Sequence, residues 1–156
     1  MPTSALYLDS NAFISYLEGD ASEAAALKGL FDALFAHPGV GVTSELTLGE
    51  VLAGSNKHGP QMKRAYLDLI VWSKNFALTP VSREILYQSA DLCIAHKAMV
   101  GRKLSLLDAI HLATASQSNC TYFVSANKGI VPPEQMKRVG FDAAAIDEVR
   151  SALAWT

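Results

Sequence analysis

The chain has 156 residues, half of them hydrophobic, with 18% charged residues and a formal net charge of −2. That is enough apolar material for one core without disulfide or metal staples, and a single domain over residues 1–156 is expected. The composition excludes a disordered or fibrous chain, and the mild acidity excludes a protein that coats nucleic acid by charge alone.

Two cysteines, Cys93 and Cys120, form no CxxC pair. A disulfide framework is therefore not expected, and a reducing cytoplasm fits. No run approaches the roughly 18 apolar residues of a membrane span. The start "MPTSALYLD" has neither a basic region nor a cleavage site, so secretion is not indicated.

In chain order, "ALYL" reads as a short buried strand, followed by a helix through Phe13, Ile14 and Leu17 that Gly19 and Asp20 stop. Leu27, Leu30, Phe31 and Leu34 follow the i, i+3, i+4, i+7 spacing of an amphipathic helix over 21–36. A second strand is expected near 40–42. "ELTLGEVLAGS" reads as a helix closed by Gly54, and another helix spans 60–74 with Met62, Tyr66, Leu69 and Ile70 on one face. "FALTPV" is a third strand, "SREILYQSADLCIAHKAM" a long helix closed near Gly101, and "SLLDAIHLATASQS" a further helix. "TYFVSA" is a fourth strand. "KRVGFDAAAI" holds a short fifth strand, and a last helix is expected at "IDEVRSAL". Apolar strands alternating with helices predict an α/β sandwich: about five short, mostly parallel strands between helical layers. In such sheets reactive groups collect beyond the carboxyl ends of the strands.

Asp9 stands at such an end, and Ser125 and Asn127 stand at another. Each candidate residue also has an ordinary reading. Asp9 suits a helix N-cap. Thr47 and Glu50 match a capping box, as Ser105 and Asp108 do more weakly. Asn127 suits a turn. Together they say more. Asp108 lies in the apolar run "LSLLDAIHLATA", where a carboxylate needs a partner or a ligand. Arg102 and Lys103, just before the helix, are one candidate partnership. If Asp9, Glu50 and Asp108 converge, mutual repulsion raises their pKa values, and a hard divalent cation such as Mg²⁺ or Mn²⁺ relieves it. Cys93-x-x-His96 has a spacing zinc accepts, but no second ligand pair follows. His111 reads as a core or surface histidine. Met62, Tyr66 and Trp72 read as core or interface.

The blocks "LYLDSNAFISYL", "TSELTLGEVLAG", "LTPVSREI", "LSLLDAIHLATA" and "YFVSANKG", in this order and spacing, resemble the PIN-domain ribonucleases, in particular the VapC-type toxins of toxin–antitoxin pairs. The resemblance implies a metal-dependent endoribonuclease using Mg²⁺ or Mn²⁺ on an RNA substrate and leaving a 5′-phosphate and a 3′-hydroxyl. It implies a homodimer and a cognate antitoxin whose C-terminal segment occupies the active groove. The family's acids fall on Asp9, Glu50 and Asp108, which the resemblance makes the catalytic and metal-binding residues, with Asn11 and Ser125 as supporting polar groups. The fourth acidic position falls on Asn127, where the family usually has Asp, which puts a second tightly held ion in question. Lys97, Arg102, Lys103 and Lys128 are candidate contacts to RNA phosphates. Two other readings are open: a PIN-like RNA- or protein-binding module with a decayed site, and a haloacid-dehalogenase-type phosphatase, whose pattern wants Asp where Asn11 stands.

Overall fold

The computed structural model describes residues 5–54 and 59–153. Five strands form one sheet: β1 (Ala5–Leu8), β2 (Gly41–Ser44), β3 (Phe76–Thr79), β4 (Cys120–Val124) and β5 (Lys137–Val139). Every pairing is parallel and the order is β3-β2-β1-β4-β5. The chain builds outward from β1 to β3, then returns to the other side of β1. The carboxyl ends of β1 and β4 therefore sit side by side where the winding reverses, which is where open α/β sheets bind ligands.

Among the described residues, seven α-helices connect and flank the strands. They are α1 (Ser10–Glu18), α2 (Ala21–Ala36), α3 (Glu45–Gly54), α4 (Pro60–Leu67), α5 (Arg83–Val100), α6 (Leu106–Gln117) and α7 (Ala143–Ala152). The fold is the expected α/β arrangement of short parallel strands between helices. The two-residue period of a strand places Leu6 and Leu8 of β1 in one core and Tyr7 in another. Val124 joins the first and Phe123 the second. The first core lies under α1, α2 and α7 and holds Phe13, Leu27, Leu30, Phe31 and Leu34. The second lies under α6 and holds Ala109, Leu112 and Ala115.

Local chemistry sets the boundaries. Asp9, Asp20, Ser82, Ser105 and Asp142 each cap a helix by accepting a backbone N–H three residues on. Gly101 closes α5 at φ 76, the left-handed region that glycine adopts without strain. The capping box that Thr47 and Glu50 match in spacing does not form, because α3 starts at Glu45 directly after β2. Thr47 instead shares a hydrogen bond with Thr43 (2.7 Å).

The helix expected over 60–74 is α4 followed by a π-helical turn, Asp68–Trp72, where the Ser73 N–H donates to the Asp68 carbonyl. Tyr66 and Ile70 are buried, but Trp72 is 54% exposed, with the Arg64 guanidinium 5.8 Å from its ring centre. His96 belongs to the fold and holds no metal pair with Cys93. Its Nδ1 donates to the Arg102 carbonyl (3.0 Å), and its Nε2 accepts from the Val131 N–H (3.2 Å). No helix of the described residues is long and apolar enough to cross a membrane.

Candidate active site

β1 ends where its apolar run ends, and Asp9 follows at once. Its backbone N–H donates to Val124 of β4 (3.3 Å), and its Oδ1 accepts from the Ala12 N–H (3.1 Å), so the carboxylate is both the cap of α1 and part of the strand-end crevice. It is only 5% exposed. Burial pushes its carboxyl above the usual range, and the nearby charge of Asp108 adds to this. Hydrogen bonds from Ser125 and Ala12, and His111 close by, oppose it. No Lys or Arg is among the groups that set its charge.

Asp108 sits in the first turn of α6, where the Ser105 hydroxyl accepts its backbone N–H (3.1 Å). It is half-buried, and its Oδ2 accepts from Asn127 Nδ2 (3.3 Å). Arg102 and Lys103 are exposed and form no ion pair with it. Asn127 follows β4. Its backbone N–H donates to Ser125 Oγ (3.1 Å), and its Oδ1 accepts from the Gly129 N–H (2.9 Å). The side-chain oxygen is thus used inside its own turn, and the amide nitrogen faces Asp108. A carboxylate at this position would repel Asp108; the amide donates to it instead.

Ser125 is fully buried and doubly anchored to β5. Its N–H donates to the Val139 carbonyl (3.0 Å), and its own carbonyl accepts from Arg138 Nη1 (2.6 Å). Arg138 had no signal in the sequence, since its partner is a backbone atom 13 residues away.

Glu50 projects from α3 toward α1 and α6. Its Oε1 accepts from the Ser10 hydroxyl (2.6 Å) and from His111 Nε2 (2.7 Å). Burial alone would raise its pKa, but the hydrogen bonds from His111 and Ser10 outweigh that and hold it below the usual carboxylate value. Behind it, the Tyr7 hydroxyl lies 2.6 Å from His111 Nδ1. Burial and the charge of Asp9 hold the Tyr7 phenol well above its ordinary value, so it keeps its proton. The Glu50 carboxylate can only accept, which assigns a proton to Nε2 and leaves Nδ1 of a neutral ring to accept from the Tyr7 hydroxyl. Ser10, Tyr7 and His111 are the members of this cluster that sequence reasoning missed. The available signal was the three-residue step from Asp108 to His111, which puts both on neighbouring parts of one helix face.

Asn11 is exposed at the start of α1, and Lys97, Arg102, Lys103 and Lys128 are all exposed, the first three around the turn from α5 to α6.

The donor set is one of hard oxygens, which suits Mg²⁺ or Mn²⁺ rather than zinc. Among the described residues no three His, Cys, Asp or Glu side chains gather tightly enough to enclose an ion. Mg²⁺ does not require that: it keeps several waters and binds through one or two carboxylates plus substrate phosphate. Asp9 and Asp108 are the two carboxylates that would hold such an ion, with no Lys or Arg among the groups acting on Asp9, while Oε1 of Glu50 is engaged by Ser10 and His111.

No curated protein sequence matches the chain. Solved structures do. A toxin–antitoxin complex from Klebsiella pneumoniae aligns with TM-score 0.62 and 25% identity, over 85% of this chain and 95% of that one. VapC20 from Mycobacterium tuberculosis, described as a sarcin–ricin loop cleaving toxin, aligns with TM-score 0.63 and 18% identity over 76% and 87%. VapBC2 from Rickettsia felis, solved bound to a promoter DNA fragment, aligns with TM-score 0.66 and 12% identity over 87% and 98%. These likenesses establish a shared fold with toxins of toxin–antitoxin pairs. The sequence pattern of the PIN domain matches residues 6–131. From strand β1 and the Asp9 that follows it, through Glu50 and Asp108, to the loop after β4, the chain belongs to the PIN-domain family.

Proposed function

We propose that the protein is a divalent-metal-dependent endoribonuclease, the VapC-type toxin of a toxin–antitoxin pair, acting as a single cytoplasmic PIN domain to inhibit translation or growth. The observation that carries this reading is the buried Asp9 carboxylate at the strand-end crevice, next to the charge of Asp108 and with no Lys or Arg among the groups that act on it. A buried charge left in that condition is costly, and a bound cation is what offsets it.

In this reading Asp9 and Asp108 hold Mg²⁺ or Mn²⁺. When bound, the ion supplies Lewis-acid stabilisation of phosphoryl charge and acidifies water. Ser125 keeps Asp9 in place, and Asn127 does so for Asp108. Glu50, fixed through Oε1, has Oε2 left to accept a proton from the attacking water and to orient it in line with the scissile phosphodiester. The water oxygen bonds to phosphorus, the bond to the 3′-oxygen breaks, and that oxygen leaves with a proton taken from a solvent water, so the products carry a 5′-phosphate and a 3′-hydroxyl. Lys97, Arg102, Lys103 and Lys128 supply an exposed cationic rim for RNA phosphates, with Asn11 at the crevice edge. A homodimer is supported by apolar side chains left open on α5, among them Tyr87 at 70%, Ile94 at 72% and Met99 at 84% exposure. The toxin–antitoxin neighbours support a cognate antitoxin, and in this reading its C-terminal segment covers the acidic crevice.

One observation favours a second reading, a PIN-like module that binds RNA or protein without cutting: no three metal-ligating side chains close on one point among the described residues. Purified antitoxin-free protein, incubated with structured RNA and Mn²⁺, separates the two. Cleavage that EDTA stops and that Asp108→Asn lacks supports the nuclease. RNA retention without cleavage supports the binding module.

A further inference from the structure

His111 is 3% exposed, three residues after Asp108 on α6, and both its ring nitrogens are engaged. Nδ1 meets Tyr7 of β1, two residues before Asp9. Nε2 meets Glu50 of α3. A single imidazole therefore joins the three segments that bring the three acids. Its ring stands edge-on to Tyr7, 5.8 Å between centres and 61° between planes, and Tyr7 is stacked on Phe123 of β4 at 5.3 Å. The orientation of the imidazole is thus held by the core of the sheet, and it transmits that orientation to Glu50.

We propose that His111, set by Tyr7, is a positioning residue for Glu50. It fixes Oε1 jointly with Ser10, which leaves the direction of Oε2 as the only freedom of the carboxylate. A histidine serves here because one side must accept from a phenol while the other donates to a carboxylate, and the neutral ring does both. Without the Nε2–H, Glu50 keeps only the Ser10 hydroxyl, and a partly exposed glutamate with one anchor samples other rotamers. The inference rests on the nuclease reading for its consequence but on the metal-free geometry for its content.

Three variants test it: His111→Leu removes both nitrogens at similar bulk, His111→Gln returns a donor at the Nε2 position, and Tyr7→Phe removes only the phenol oxygen. Expected for His111→Leu is a kcat lower by about 10–100-fold, the range seen when the outer hydrogen-bond partners of a metal site are removed, with KM changed less than about twofold. His111→Gln recovers much of the loss, and His111→Leu adds little further loss when Glu50 is already Gln, since the histidine acts through that residue. In metal-free protein, nitrogen-15 NMR should find the His111 proton on Nε2 and not on Nδ1.

An Nδ1-protonated ring overturns the inference. So does a His111→Leu or Tyr7→Phe variant with wild-type kcat in a preparation where the wild type cuts RNA. If His111→Leu fails to fold, His111→Gln and Tyr7→Phe carry the same comparison. A wild type that cuts no RNA, with Nε2 protonated as expected, instead refutes the nuclease reading and with it any catalytic consequence of the contact.

Discussion

Asp9→Asn should lose RNA cleavage by more than the roughly 100-fold attributed to groups that only support a metal site, and in metal-free buffer it should melt at a higher temperature than the wild type. The two effects have one cause. Asparagine caps a helix as well as aspartate does, so the bond from the Ala12 N–H survives. What disappears is a buried negative charge that burial and Asp108 both disfavour. The folded-state pKa lies above the unfolded one, so the ionised group costs its full amount of stability above the folded value, and the cost shrinks as pH falls through that value and is gone below the unfolded one. Near neutral pH the substitution therefore stabilises, by roughly 2–4 °C for each kcal/mol relieved in a chain of this size. With saturating Mn²⁺ the order should reverse, because only the wild type gains binding energy. A thermal melt of both proteins with EDTA and with Mn²⁺ checks this. A lower melting temperature for the variant in EDTA would mean that the Asp9 charge is already compensated by the protein.

The second large effect concerns the scaffold. Phe31 of α2 is fully buried and is the hub of an aromatic cluster. It stacks on Tyr16 at 4.0 Å and meets Phe13, Phe35 and Phe76 edge-on at 5.5, 6.1 and 5.8 Å. Phe31→Ala should cost about 3–5 kcal/mol through lost transfer energy and the cavity left behind. Domains of this kind have in total about 5–15 kcal/mol. Urea unfolding should show a much lower midpoint at unchanged slope. A shift worth under about 1 kcal/mol would mean that the cluster collapses around the gap or was not packed as described.

The sheet was legible because its strands are short apolar runs ended by polar residues, and because α2 carries a helix-period pattern; the caps at Asp20 and Ser82 emerge with the structure. Asp9 and Asp108 were legible as charges out of place in apolar surroundings. The electrostatic link between them needed the topology, which sets the end of β1 beside the loop of β4. Periodicity did not reveal the π-helical turn at Asp68–Trp72, since the residues there suit any helix. Nor did it reveal the Tyr7–His111–Glu50 chain. Its links span 104 and 61 residues, and a histidine among Leu, Ile and Ala looks the same in sequence whether it fills a core or orients a carboxylate. The ordinary reading of Thr47 and Glu50 as a capping box has the correct spacing, but β2 feeds α3 with no residue between, and Thr47 finds Thr43 instead.

All of the chemistry proposed rests on Asp9 and Asp108 jointly receiving one divalent ion, and calorimetric titration of Mn²⁺ into antitoxin-free, metal-stripped protein tests that most directly. The account predicts one ion per chain for the wild type and none for Asp108→Asn. Binding that Asp108→Asn retains at full strength, or no binding to the wild type at millimolar Mn²⁺, would contradict it.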